Sequence, residues 1–157
     1  MPFMHWTPAM SVGLSELDED HKQLFYLINR LADQAAADDV SVEAIRDTLF
    51  ALMRYAELHF SREERVMTAC DYPQLHDHLG QHKRFVERIK AIAAEFDADA
   101  KDSGAEVGDA LLEYLKDWLT HHILIQDMAY KPFVEAKETE ARQAARSIRG
   151  VEIAWSV

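Results

Sequence analysis

Apolar residues recur along this chain at alternating steps of three and four, the spacing that lines one face of an α-helix. One row runs Leu24, Phe25, Ile28 and Leu31, with His21 at its head. A second runs Ile45, Leu49, Leu52 and Ala56, continues through His59 and Glu63, and resumes at Val66. A third takes Leu75, His78, His82, Phe85, Ile89, Ile92 and Phe96; a fourth takes Leu112, Leu119 and Ile123, with Asp127 extending it. No segment alternates with period two for long enough to suggest a strand. These rows predict four helices, starting near Leu17 or Asp18, near Ser41, after Pro73 and near Ser103. They end around 37–39, at Cys70, near Asp97 and near Tyr130, just before Pro132. Ser15 with Asp18, and Ser103 with Glu106, read as capping pairs. Short connections make the fold all-α, an antiparallel up-down-up-down four-helix bundle.

The ends of the chain carry less pattern. Residues 1–17 hold no helical period, but Phe3, Trp6, Val12, Leu14 and Leu17 are too apolar for a free tail, so an ordered N-terminal arm is expected. The core domain is read as 1–132, with the bundle over 18–131, and 133–157 as a C-terminal helical extension. Its stripe, Val134, Ala141, Ala145 and Ile148, is modest, and its last residues, VEIAWSV, either pack back or meet a partner or a second copy.

The anomaly in the rows is chemical. His59 with Glu63, and His78 with His82, are spaced i, i+4, which stacks each pair on one helix face at positions the pattern assigns to the core. Buried ionisable groups are costly unless something inside pairs with them, and a metal ion answers that cost. Helix one offers His21 on its inner row; helix four offers His121, His122 and Asp127. His122 and Asp127 are i, i+5, roughly 140° apart on an ideal helix. Either helix four presents a wide face, or it widens into a π-type turn. Taken singly, each motif has an ordinary explanation, such as a satisfied core histidine or a surface pair. Jointly they do not, because four helices place polar groups at one level of a core. With one imidazole and one carboxylate from helix four, the set is five imidazoles and two carboxylates. That is too many for one ion and suited to two ions bridged by carboxylates, a preference of iron or manganese. His5, His76 and His121 are expected outside the set, and Phe25, Phe60, Phe85 and Trp118 in the core.

Composition narrows the setting. At 157 residues and 48% hydrophobic, the chain is long and apolar enough for one well-filled domain. A formal net charge of −11 argues against nucleic acid or an anionic membrane as partner. The single cysteine, Cys70, excludes an internal disulfide and a cysteine-based cluster. The first residues lack the layout of a signal peptide and no apolar run approaches membrane-spanning length, so a cytoplasmic location is expected.

One His on helix one, HxxxE on helix two, HxxxH on helix three and HxxxxD on helix four resemble the hemerythrin pattern. WTPAMSVGLSELDEDH, HFSREERVM and WLTHHILIQDMAY are similar to its bacterial branch, the bacteriohemerythrins. The resemblance spans roughly residues 3–133. It implies two non-haem iron ions with a bridging hydroxide or oxide and reversible binding of O2 as peroxide, for oxygen carriage, storage or delivery rather than turnover. It also selects His122 over His121. His78, His82 and His122 would fill one iron, His21 and His59 would hold the other with a position open, and Glu63 and Asp127 would bridge. Leu119 and Ile123 are the expected lining of a dry O2 pocket. The alternatives are an O2 or redox sensor acting through 133–157, and a di-iron peroxidase or nitric-oxide-processing protein. Ferritin-like di-iron enzymes use paired ExxH motifs, and none occurs here. Structural zinc prefers a closed four-ligand site.

Overall fold

The four apolar rows become four helices in the computed structural model of the chain, which describes residues 2–98 and 104–147. They are α1 (Ser15–Ala35), α2 (Val42–Ala69), α3 (Leu75–Ala98) and α4 (Gly104–His121), and the described residues contain no strand. Neighbours run antiparallel. Early α1 meets late α2 at His21 and His59, 3.1 Å apart, and late α2 meets early α3 at Glu63 and His82, 3.0 Å apart. Early α3 meets the end of α4 at His82 and His122, 3.1 Å apart, while late α1 meets early α4 at Ala35 and Gly108. The result is the up-down-up-down bundle.

Local chemistry sets the ends. Ser41 Oγ accepts the Ala44 N–H at 3.2 Å, a cap of the kind that contributes ~1 kcal/mol. After α2, Asp71 takes a left-handed conformation, φ 53°; the Tyr72 N–H reaches Met67 O at 3.0 Å and the Asp71 N–H reaches Thr68 O at 3.2 Å. That double closure is a Schellman turn, and Asp tolerates its left-handed position better than most residues. Pro73 follows and α3 begins two residues on. The expected Ser103 cap lies outside the described residues.

Two expectations at helix ends are corrected. Ser15 and Asp18 do not cap α1, which begins at Ser15 after Leu14 without a side-chain cap. Asp18 turns back instead and accepts from Ser11 Oγ at 2.6 Å and the Val12 N–H at 2.9 Å, pinning the arm. Nor does Pro132 end the fourth helical run. After a π-type turn at His122–Asp127, α5 (Met128–Ala136) continues through Pro132. An interior proline costs ~3 kcal/mol, but Tyr130 and Val134 are both fully buried, and side chains of that size each contribute ~1.5–3 kcal/mol on burial. Packing outweighs propensity.

The arm lies on the bundle: Met4, Val12 and Leu14 are buried, Phe3, Trp6 and Met10 pack against the main core, and Asn29 clamps the Met4 backbone from both sides at 2.6 and 2.9 Å. Beyond α5, α6 (Glu138–Arg146) packs on α2 through Ala141 and Ala145, and Arg146 Nε donates to Glu16 Oε1 at 2.9 Å. Ile148 and the VEIAWSV ending lie outside the described residues.

The buried apolar residues form two clusters. One fills the bundle from Leu24, Leu52 and Phe60 to Leu115 and Ile123. The other gathers Leu14, Leu17, Val66, Met67, Tyr130 and Val134 with α6. Between them each of the four helical runs places a polar position: His21 between Leu17 and Leu24, Glu63 between Phe60 and Val66, His78 and His82 between Leu75 and Phe85, Asp127 between Ile123 and Tyr130.

Candidate metal centre

The polar layer comprises His21, His59, Glu63, His78, His82, His122 and Asp127, each at most 2% exposed. They form two overlapping groups. Glu63, His78, His82, His122 and Asp127 make one; His21, His59, Glu63 and Asp127 make the other, and within each group every donor atom lies within 4.8 Å of the others. Both carboxylates belong to both groups.

The π-type turn brings Asp127 into place. At residue 128 the backbone N–H bonds to Ile123 O, one residue further back than in an α-helix. The wider turn aligns residues five apart, so His122 Nε2 and Asp127 Oδ1 meet at 3.0 Å on one face. Of the two geometries the spacing left open, the chain adopts the π-turn. His121 is exposed, as are His5 and His76.

Asp127 faces both imidazole sets, Oδ2 toward His21 Nε2 at 3.2 Å and Oδ1 toward His78 Nε2 at 3.1 Å. Glu63 Oε2 lies 3.0 Å from His82 Nε2, 3.6 Å from His59 Nε2 and 3.7 Å from His78 Nε2. These approaches are close without being satisfied. Both Asp127 oxygens, Glu63 Oε2 and His78 Nε2 are buried with no hydrogen-bond partner, although such orphans are rare in folded proteins. The Nε2 atoms of His21 and His59, and of His82 and His122, face each other at 3.1 Å. Lone pairs turned toward one another around orphaned carboxylate oxygens suit cations held between them. Five imidazoles and two carboxylates fit borderline transition-metal ions better than the all-oxygen sites of calcium or magnesium.

Electrostatics favours the same occupant. Burial opposes charge on His78, yet Asp127 and Glu63 outweigh it and push its pKa up to about 10. His21, through Asp127, and His82, through Glu63, are raised against the same burial penalty. Burial and mutual repulsion act to raise Glu63, and burial to raise Asp127, but the surrounding imidazoles hold both below the ordinary carboxylate range. The layer draws positive charge.

A supporting set surrounds these residues, and sequence reasoning missed it. His59 Nδ1 donates to Asp20 Oδ2 at 3.1 Å; Asp20 Oδ1 accepts from Arg62 at 2.8 Å and from the Tyr55 hydroxyl at 3.0 Å. His82 Nδ1 faces Glu64 Oε1 at 3.3 Å, and the Tyr130 hydroxyl donates to Glu63 Oε1 at 2.6 Å. Tyr130 occupies the next inward position after Ile123 and Asp127, so its spacing was a usable signal. Asp20, Tyr55, Arg62 and Glu64 meet their partners only across helices. Aromatic rings close the layer on the bundle side: Phe60 stacks on His82 and Trp118 on His122, with centroids 3.9 and 4.3 Å apart. Beside them, Leu24, Ala56, Leu115, Trp118 and Leu119 border a small apolar gap in the core. Ile123, fully buried, packs in the same core cluster.

Comparison with known proteins gives one consistent answer. The family model of the hemerythrin HHE cation binding domain matches residues 12–134. A bacteriohemerythrin of Ralstonia nicotianae is 29% identical over 145 residues, covering 92% of this chain and 98% of that protein. A bacteriohemerythrin of Methylococcus capsulatus is 31% identical over 137 residues, covering 87% of this chain and all of its own length. A hemerythrin-like protein of Naegleria gruberi is 32% identical over 83% of this chain and 92% of its own. The solved structure of a wild-type hemerythrin superposes with a TM-score of 0.72 at 28% identity, covering 83% of this chain and 97% of that one.

Proposed function

The chain belongs to the hemerythrin HHE cation-binding family, and on that premise we propose that it is a cytoplasmic non-haem di-iron protein that binds O2 reversibly, for carriage, storage or delivery. The observation that carries the reading is the pair of overlapping donor groups sharing Glu63 and Asp127, with three imidazoles on one side and two on the other. His78, His82 and His122 would hold one iron, His21 and His59 the second, and the two carboxylates would span both. When bound, such an iron pair would supply electrons that O2 can share.

The rest of the work belongs to the protein. Tyr130 fixes one oxygen of Glu63 and leaves the other facing the imidazoles. Phe60, Trp118, Leu119 and Ile123 keep bulk water from the layer, which hinders proton entry and irreversible loss of electrons. The core beside Leu119 is lined by apolar side chains, which suits O2 better than water. No described helix is long and apolar enough to cross a membrane.

The test is an absorption spectrum of the iron-loaded protein, reduced without air and then exposed to O2. Visible charge-transfer bands should appear with O2 and vanish when it is removed, and His21→Ala or His59→Ala should abolish them. Direct passage to a stable ferric spectrum would favour peroxidase or nitric-oxide chemistry instead; an absence of iron-dependent bands would defeat the reading.

A second role, O2 or redox sensing, draws support from one feature. Tyr130, on α5, touches Glu63 directly, and α5 leads through Lys137 into α6, which rests on α2 and α1. A change at the site therefore has a short covalent path to the C-terminal extension.

A further inference from the structure

We propose that Asp20 is a positioning residue for this site, orienting His59 and strengthening that imidazole as a ligand. The proposal rests on the di-iron reading above. Its basis is an asymmetry among the groups behind the histidines. Asp20 is buried, meets His59 Nδ1 at 3.1 Å, and has its other oxygen held by Arg62 and Tyr55. Glu64 stands behind His82 at 3.3 Å, but its side chain is 37% exposed. His21 Nδ1 and His78 Nδ1 have no hydrogen-bond partner. The most firmly anchored support therefore sits behind one of the two imidazoles on the side with fewer ligands.

The physical consequence follows from donor and acceptor roles. An ionised carboxylate only accepts, so the proton of His59 resides on Nδ1 and Nε2 keeps its lone pair toward the layer. The bond also stops the ring rotating and raises electron density at Nε2. Arg62 and Tyr55 keep Asp20 from swinging away. A more electron-rich ligand favours the more oxidised metal, so Asp20 biases this side of the site toward taking up O2. Among the described residues, no other histidine of the layer has a buried acidic partner outside it.

The test uses the full chain, stripped of metal and titrated with Zn(II) against a chromophoric chelator. Wild type should bind two ions. Asp20→Asn should weaken the weaker step about tenfold while Glu64→Gln changes either step by less than about twofold. The slowly exchanging imidazole N–H resonance of His59 should move upfield in Asp20→Asn, a readout that a general loss of stability would not shift. If Asp20→Asn folds poorly because Arg62 is left unpaired, Asp20→Asn with Arg62→Gln removes both charges together and should show the same loss. Two-ion binding by wild type with both steps and the resonance unchanged in these variants would overturn the role of Asp20 alone. Equal loss at both steps would mark Asp20 as structural and overturn it too. Failure of wild type to take up two ions would instead bring down the di-iron reading.

Discussion

Tyr130 shows how much a single side chain can carry here. Its hydroxyl is fully buried, donates to Glu63 Oε1 at 2.6 Å, and is raised well above the ordinary phenol range by burial and by the two carboxylates. It therefore stays protonated and remains a donor. Tyr130→Phe leaves a buried carboxylate oxygen without its donor, which costs ~1–3 kcal/mol. Urea denaturation of the metal-free variant should show that loss as a lower midpoint with unchanged slope. Metal release from the loaded variant should be faster, because Glu63 loses the contact that fixes its orientation. At this scale sequence patterning was partly sufficient. All seven residues singled out for the layer are brought together, His122 with Asp127 on the strength of the resemblance rather than of spacing, and Tyr130 was missed although its spacing to Asp127 was a signal. Asp20 was not legible: beside His21 in the chain, it acts on His59 of another helix.

Among the elements, the π-type turn at His122–Asp127 is the one that lets two residues of the layer five apart share a face. Its outward residues Leu124 and Ile125 are exposed, so shortening the turn disturbs little packing. Deleting Leu124 should remove the π-type turn and leave His122 and Asp127 four apart, a spacing that keeps both on one face of an ordinary α-helix. The expected outcome is retained two-ion uptake with far-ultraviolet circular dichroism nearly unchanged; loss of uptake would show that the site needs the widened turn itself. The same region explains the correction at Pro132. Propensity predicts a stop there, but the chain beyond it carries Tyr130's neighbours Phe133 and Val134 into the second apolar cluster, and that burial holds the helix together. The capping pair assigned to Ser15 and Asp18 failed for a related reason. Asp18 had a better use in the arm, where Ser11 and the Val12 N–H needed an acceptor.

For the molecule as a whole, the layer makes stability depend on pH and on metal in opposed ways. In metal-free protein, His78 has its pKa raised to about 10, so its contribution is complete below the unfolded value of ~6.5 and is lost as pH rises from there toward 10. Glu63 and Asp127 are lowered, so theirs is present above ~4 and lost as pH falls through their folded values. Thermal melting of the metal-free protein should be highest near pH ~5–6.5 and lower at pH ~9. Metal affinity should rise over the same alkaline interval as protons leave the imidazoles. The C-terminal extension contributes separately. Removing residues 137–157 takes away α6, exposes the side of α2 that Ala141 and Ala145 cover, and removes the Arg146–Glu16 and Lys137–Asp71 pairs. A melting temperature lower by ~5 °C is expected, and unchanged O2 binding in that variant would remove the support for a sensing role.

The sequence alone determined the helical class, the number of bundle helices, the layer of polar residues within the apolar rows and the family. Those properties are written in spacing, and spacing is local along a chain that must bury one face of each helix. Tertiary structure decided what spacing cannot express. It chose the π-turn over a wide face, carried the helix through Pro132, turned Asp18 toward the arm, and set Asp20, Arg62 and Tyr55 behind His59. Each of those outcomes is a competition between a local preference and a contact made by a distant residue. The distant contact won wherever burial left a polar group or an apolar face with no other partner.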